Sequence, residues 1–126
     1  NNMGRYDDAI ATAQKLLQEF EGDPEGYYQI ATAYDALGRY DEAIENYQNA
    51  IETDPLNANY YNDLADTYRE VKNYNEALEM VQQAIAMEPS MILAYETLSQ
   101  ILTEMGRTEE AAAATEQASM LRMAEE

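Results

Sequence analysis

GRYDEAIENYQNAI, residues 38–51, decides the fold, because nearly the same phrase returns along the chain: GRYDDAI at 4–10, KNYNEAL at 72–78 and GRTEEAA at 106–112. Gly4, Gly38, Lys72 and Gly106 stand 34 residues apart, as do Ala9, Ala43, Ala77 and Ala111, and Pro55 and Pro89 keep the same interval. One register held this long is a structural repeat, in which each copy buries its apolar face only by stacking on its neighbours. The chain divides into a partial copy at 1–23 and three full repeats at 24–57, 58–91 and 92–125, all of one domain.

Each repeat reads as two helices. In the first, Tyr27, Ile30, Ala31 and Tyr34 fall at i, i+3, i+4 and i+7, one face of an α-helix. Ala43, Ile44, Tyr47, Ala50 and Ile51 do the same in its second half. Leu37-Gly38-Arg39 supplies the break, since glycine takes the left-handed conformation that ends a helix. Asp23-Pro24 reads as a capping side chain followed by a residue preset for the first turn. The pairs Asp7-Asp8, Asp41-Glu42 and Glu109-Glu110 open second helices, where the helix dipole favours negative charge, and Thr108 reads as an N-cap.

These repeats resemble tetratricopeptide (TPR) repeats. The first carries Tyr27, Ile30-Ala31, Tyr34, Ala43, Tyr47 and Pro55 at the family's offsets, and the second carries Tyr61, Leu64-Ala65, Tyr68, Ala77, Val81 and Pro89. The third keeps Tyr95, Leu98-Ser99 and Ala111 but has Leu102, Thr115 and Met123 where Tyr, an aromatic and Pro are expected. The resemblance implies an all-α, right-handed superhelical solenoid of antiparallel helix pairs, about seven helices in all. Residues 1–23 fit a turn at Gly4 and a second helix without its first, so Ala9, Ala13, Leu16 and Leu17 are expected to lose cover, as in a piece of a longer repeat protein. Leu16 and Leu17 at one end and Met120 and Leu121 at the other are then candidate contacts for self-association, which makes a self-assembling scaffold the alternative function.

Composition narrows the function. There is no Cys, His or Trp, which excludes disulfides, thiolate or imidazole metal sites and any triad built on a His base. The 25 acidic residues face 7 basic ones, a net charge of −18, so nucleic-acid phosphates and anionic membranes are repelled. No apolar run approaches the ~20 residues that span a bilayer, and no secretory signal is visible, which favours the cytoplasm, although a chain without Cys suits any compartment. No calcium loop, Gly-rich phosphate loop or nucleophile elbow occurs, so neither a metal, a cofactor nor catalysis is expected.

In the family the first helices line a concave groove that holds extended or helical peptides. Carried over by position, the groove candidates are Tyr28, Gln29, Thr32 and Asp35, then Asn59, Asn62, Asp63, Asp66 and Arg69, then Glu96, Thr97 and Gln100. Arg69 is the one cation of that face, Tyr28 its candidate aromatic anchor, and Asn59 and Asn62 candidates for a peptide main chain. Nine of the 11 Tyr stand at packing positions, while Tyr28 and Tyr60 do not. Family members that grip chaperone C-terminal carboxylates use Lys, Asn and Arg where Tyr28, Thr32, Asp63, Leu93 and Thr97 stand here, so that clamp is not expected. A basic or polar peptide is the expected partner; a merely solvating, or salt-adapted, acidic surface accounts for the same charge.

Overall fold

The computed structural model describes residues 2–19 and 22–125, with side chains for 4–15 and 22–125. Among the described residues every regular element is a helix: α1 (Asn2–Glu19), α2 (Pro24–Ala36), α3 (Tyr40–Thr53), α4 (Ala58–Glu70), α5 (Tyr74–Met87), α6 (Ile92–Glu104) and α7 (Thr108–Glu125). Each full repeat is therefore a pair of helices, α2–α3, α4–α5 and α6–α7. None of the described helices is long and apolar enough to cross a membrane.

The helix ends follow from single residues. Asp23 caps α2, its Oδ1 accepting the Glu25 N–H at 3.0 Å, and Pro24 fills the first turn. All three first helices stop by one device. At Gly38 (φ 77°) the chain turns left-handed, the Gly38 N–H bonds Asp35 O at 3.0 Å and the Arg39 N–H bonds Tyr34 O at 2.9 Å. Gly106 (φ 81°) repeats this with bonds of 3.0 Å to Thr103 O and, from Arg107, 2.8 Å to Leu102 O. Lys72 takes the same conformation at φ 65° without being glycine, with bonds of 2.9 Å from Lys72 N to Arg69 O and from Asn73 N to Tyr68 O. The register of the repeat thus outweighs the local cost of a left-handed Cβ.

Two expectations shift. Gly4 lies inside α1 and makes no turn; glycine within a helix costs only about 1 kcal/mol relative to alanine, so its presence alone does not end one. Thr108 is the first residue of α7 rather than its cap, and the Ala111 N–H bonds Arg107 O at 3.0 Å. At this position, as at Arg39, the arginine side chain turns back to a carboxylate three residues on: Arg39 Nε lies 2.9 Å from Glu42 and Arg107 Nε 2.9 Å from Glu110. The bond from Arg107 holds the Glu110 carboxyl below its usual value.

The chain forms two compact units, Asn1–Tyr60 and Tyr61–Glu126. In the first, α2 packs on both α1 and α3. Its core is Ile10, Ala13, Ile30, Ala31, Ala43, Tyr47, Ala50 and Tyr60, all under 9% exposed. Ala9 is exposed, unlike its register mates Ala43, Ala77 and Ala111. In the second unit α6 packs on both α5 and α7, around Leu64, Ala65, Val81, Ala94, Ile101 and Leu102. Burying a side chain such as Leu64 or Ile101 contributes roughly 1.5–3 kcal/mol, and the many alanines contribute less each but set the spacing.

Lys72→Gly is expected to raise stability by about 0.5–1 kcal/mol, relief of the left-handed strain being partly offset by the freedom glycine gains on unfolding. Gly38→Ala is expected to lower stability by about 1 kcal/mol through backbone strain alone, since a Cβ there meets nothing within 4 Å. Urea unfolding of the two variants checks both signs.

Candidate functional site

In the second compact unit the outward row of α6 and the facing row of α7 enclose a groove of about 570 Å³. Leu93, Glu96, Thr97, Gln100, Thr103 and Glu104 come from α6, spaced at three and four residues so that one helix face presents them together. Ser99 adds its edge, and Thr115, Ala118 and Arg122 come from α7. Thr97 and Ala118 are buried at 4% and 2% exposure and form the floor. Glu96, Gln100 and Thr103 are exposed along the mouth.

Polar contacts fix both walls. Ser99 Oγ lies 2.7 Å from Thr115 Oγ1, and each hydroxyl is 3.1 Å from the carbonyl of Ala111. Arg122 Nη2 reaches across from α7 to Glu96 Oε2 at 2.5 Å. At the far end Glu104 receives Arg69 Nη1 at 2.8 Å and the Tyr74 hydroxyl at 3.3 Å, joining α4, α5 and α6. Arg69 also gives Nε and Nη2 to Asp66 Oδ1 at 3.0 and 2.8 Å. Burial works against the Arg69 charge, but Asp66 and then Glu104 outweigh it and hold the guanidinium above its usual value. The cation expected on this face is thus matched by two carboxylates.

The structure gathers Glu96, Thr97 and Gln100 into the groove, with Arg69 linked to it through Glu104. Asp63 and Asp66 are half-buried on α4. Asn62 departs from expectation: it is 3% exposed, and its Oδ1 has no hydrogen-bond partner among the described residues, so it does not stand open to a peptide main chain. Thr97 is likewise floor rather than rim. Both lie on the side of a first helix that packing can close over, a side that a single helix's periodicity cannot distinguish from solvent.

In the first compact unit Tyr28 is half-buried rather than a free anchor, its ring centroid 6.0 Å from that of Tyr47 and 5.1 Å from that of Tyr60. Tyr60 is only 3% exposed, and burial, reinforced by the charges of Glu25, Asp54 and Asp23, raises its hydroxyl above the usual tyrosine value. Gln29 is exposed and accepts Thr32 Oγ1 on its carbonyl at 2.9 Å; Thr32 and Asp35 are half-buried. Asn59 is exposed, with its N–H on Asn57 Oδ1 at 3.0 Å. Met120 is 57% exposed and Leu121 half-buried. The side chains of Leu16 and Leu17 lie outside the described residues.

Sequence reasoning missed Thr115, Ala118 and Arg122 because it assigned the groove to first helices alone, and Ser99 because its register is a packing position in the other copies. A signal was present: Ser99 and Thr115 replace Ala and an aromatic or Val in the repeat register, and Met123 replaces Pro. Without that proline α7 runs on to Glu125, past the point corresponding to Thr53 and Met87 where α3 and α5 end, and this extension carries Arg122.

A family model described as tetratricopeptide repeat matches residues 23–90, and a second with the same description matches 68–123. The chain belongs to the tetratricopeptide repeat family. Among solved structures a crystal structure of MamA is 23% identical, covering 95% of this chain and 70% of that one at a TM-score of 0.88. A second MamA structure is 24% identical and covers 94% of this chain and 64% of that one, at 0.85. The second TPR of Spaghetti (RPAP3), bound to the HSP90 peptide SRMEEVD, is 25% identical and covers 85% of this chain and 98% of that one, at 0.75. No curated protein sequence matches the chain. The family match and the helices agree with the all-α helical repeat solenoid expected from the sequence.

Because an unpartnered buried carbonyl carries its full desolvation penalty, Asn62→Leu in this TPR chain is expected to raise stability by roughly 1 kcal/mol, measured by thermal unfolding. Tyr60 gives a pH test. The folded chain keeps the Tyr60 proton more tightly than the unfolded one, so its contribution is intact below the ordinary tyrosine value of about 10 and is lost as pH rises through the folded value. Tyr60→Phe is expected to flatten the fall in melting temperature above about pH 10.

Proposed function

We propose that this chain is a non-enzymatic protein-interaction module that holds a basic or polar peptide segment of a partner on the polar faces of α4 and α6 in its second compact unit. The observation that carries the reading is the charge of that face. Asp63, Asp66, Glu96 and Glu104 stand on it, and its two arginines, Arg69 and Arg122, are engaged by Asp66, Glu104 and Glu96. The net field is negative, and complementary charge governs the rate and selectivity of encounter. The related Spaghetti domain was solved with the HSP90 peptide SRMEEVD, whose Glu-Glu-Val-Asp end is acidic. A TPR face of the opposite sign favours a ligand rich in Lys and Arg. Family membership supports the absence of catalysis, and the carboxylates are engaged in ion pairs and helix starts rather than poised in a desolvated pair.

Self-association is a second reading, favoured by one observation: Leu93, Met120 and Met123 are 53%, 57% and 71% exposed on α6 and α7. If it holds, Met120→Lys with Met123→Lys turns a concentration-dependent mass in light scattering into that of a monomer. A monomer already present at every concentration of the unaltered chain rejects it.

For the favoured reading, Asp63→Lys with Asp66→Lys is expected to weaken binding of a Lys- and Arg-rich peptide about tenfold. Added salt is expected to weaken binding to the unaltered chain in the same direction. Titration by fluorescence anisotropy measures both, and unchanged affinity in the double variant refutes this face as the site.

A further inference from the structure

A second surface lies on the side of α6 turned away from Glu96 and Gln100. Tyr95, Leu98 and Leu102, spaced at three and four residues, form the floor of a groove of about 330 Å³, whose walls are Leu78 and Gln82 of α5 and Ala113, Ala114 and Gln117 of α7. All three helices belong to the second compact unit, and α6 packs on both α5 and α7. Leu102 and Ala114 are buried at 4% and 6% exposure, while Leu78, Tyr95 and Leu98 keep part of their apolar surface in solvent. The ion pair of Arg107 and Glu110 borders the groove.

The side chains that open it are particular to this copy of the repeat. Ala113 and Ala114 stand where the earlier copies have Glu45 and Asn46, then Glu79 and Met80, and Leu102 stands where they have Tyr34 and Tyr68. In the first compact unit Arg39 lies over the Tyr34 ring at 4.8 Å from its centroid, and the Asn46 amide donates to Glu42 O at 2.9 Å. Leu102, Ala113 and Ala114 are shorter, and they leave an apolar floor uncovered between α5 and α7.

We infer that this groove docks a short extended segment of a partner protein, seating one aliphatic or aromatic side chain on Leu98 and Leu102 with basic residues on either side of it. The site is separate from the polar faces of α4 and α6 and does not depend on them. Its volume is at the small end of the ~300–1,000 Å³ typical of binding pockets, which suits an anchoring side chain. An extended backbone is specified by Gln82 and Gln117, which flank the floor from opposite walls with no hydrogen bond from either amide among the described residues. Each amide can donate to and accept from a main chain whose N–H and C=O groups are free, as they are in an isolated strand and not in a helix. Basic flanks are specified by charge. Glu79 follows Leu78 and Glu116 precedes Gln117, both exposed and without an ion pair among the described residues, whereas Arg107 is already taken up by Glu110. A second copy of this chain fits less well, since copies of net charge −18 repel.

The test selects, on the immobilised full chain, from a phage-displayed library of nine-residue peptides with Leu, Met or Phe fixed at the centre and the other places random. Expected is enrichment of Lys and Arg beside the centre. Labelled synthetic copies of the selected peptides are expected to bind about tenfold more weakly, by fluorescence anisotropy, to Ala113→Trp, which fills the groove from an exposed position. Ala113→Met takes its place should that variant fail to fold by circular dichroism. Gln82→Leu with Gln117→Leu is expected to weaken binding about tenfold as well. A library that yields no peptide, peptides that bind the groove-filled variant equally, or equal binding to the Gln82→Leu, Gln117→Leu chain overturns the inference. Loss of binding only in the Asp63→Lys, Asp66→Lys chain assigns the peptides to the faces of α4 and α6 and overturns it too. A dimer of the unaltered chain that Ala113→Trp dissociates assigns the groove to a second copy and overturns the partner segment.

Discussion

Close approach of paired helices through alanine is the constraint on which the rest of the structure depends. Ala43, Ala77 and Ala111 are 0%, 0% and 5% exposed, and Ala50, Ala84 and Ala118 are 0%, 0% and 2%. A larger side chain at any of them would push two backbones apart, and overpacking of this kind costs about 1–3 kcal/mol. Alanine contributes little area of its own, so no repeat is stable by its own pair alone. Stability in such repeats accumulates from neighbour to neighbour, and the left-handed turns at Gly38, Lys72 and Gly106 end the first helix of each pair in the same way. That Lys72 accepts the strain of φ 65° shows how strongly the stacking holds the turn.

Departures from the repeat are coupled rather than scattered. Ser99 stands where Ala31 and Ala65 stand, both 0% exposed, and Thr115 stands where Tyr47 and Val81 stand. Each hydroxyl reaches the Ala111 carbonyl, and the two lie 2.7 Å apart, so the pair is matched without solvent. The loss of proline at Met123 belongs with them, since it lets α7 continue and bring Arg122 to Glu96. A groove that in the preceding copies is lined by Tyr47 or Val81 is thereby lined by hydroxyls and an ion pair, which tolerate water.

The fold was legible because its determinants are local and periodic: Gly at the turns, Asp23-Pro24 at a helix start, and alanines every 34 residues. Gly4 departs from the pattern because glycine permits a left-handed turn without requiring one, and it lies within α1. The site was legible only in part. Tyr28, Asn62 and Glu96 share one register, yet they are half-buried in an aromatic cluster, 3% exposed, and exposed but paired with Arg122, respectively. A helical wheel gives the direction of a side chain, but its burial depends on whether another helix covers that direction. For the same reason α7 was overlooked as a wall: its periodicity marks the face that packs on α6, and not which of its other residues border the surface that α6 presents.

Charge and shape consequently have separate roles. Arg39, Arg69, Arg107 and Arg122 each meet a carboxylate within 2.8 Å, and the pairs of Arg39, Arg107 and Arg122 are so exposed that solvent screens most of their attraction. Their effect is local, steadying a helix start or joining two helices, and it withdraws the cations from any long-range role. What remains is a negative field over repeats of similar composition. The copies differ in the lining between their helices: Tyr47 and Val81 bury apolar surface in the first two, whereas Ser99, Thr115 and the Glu96–Arg122 pair give the third a polar surface that tolerates water.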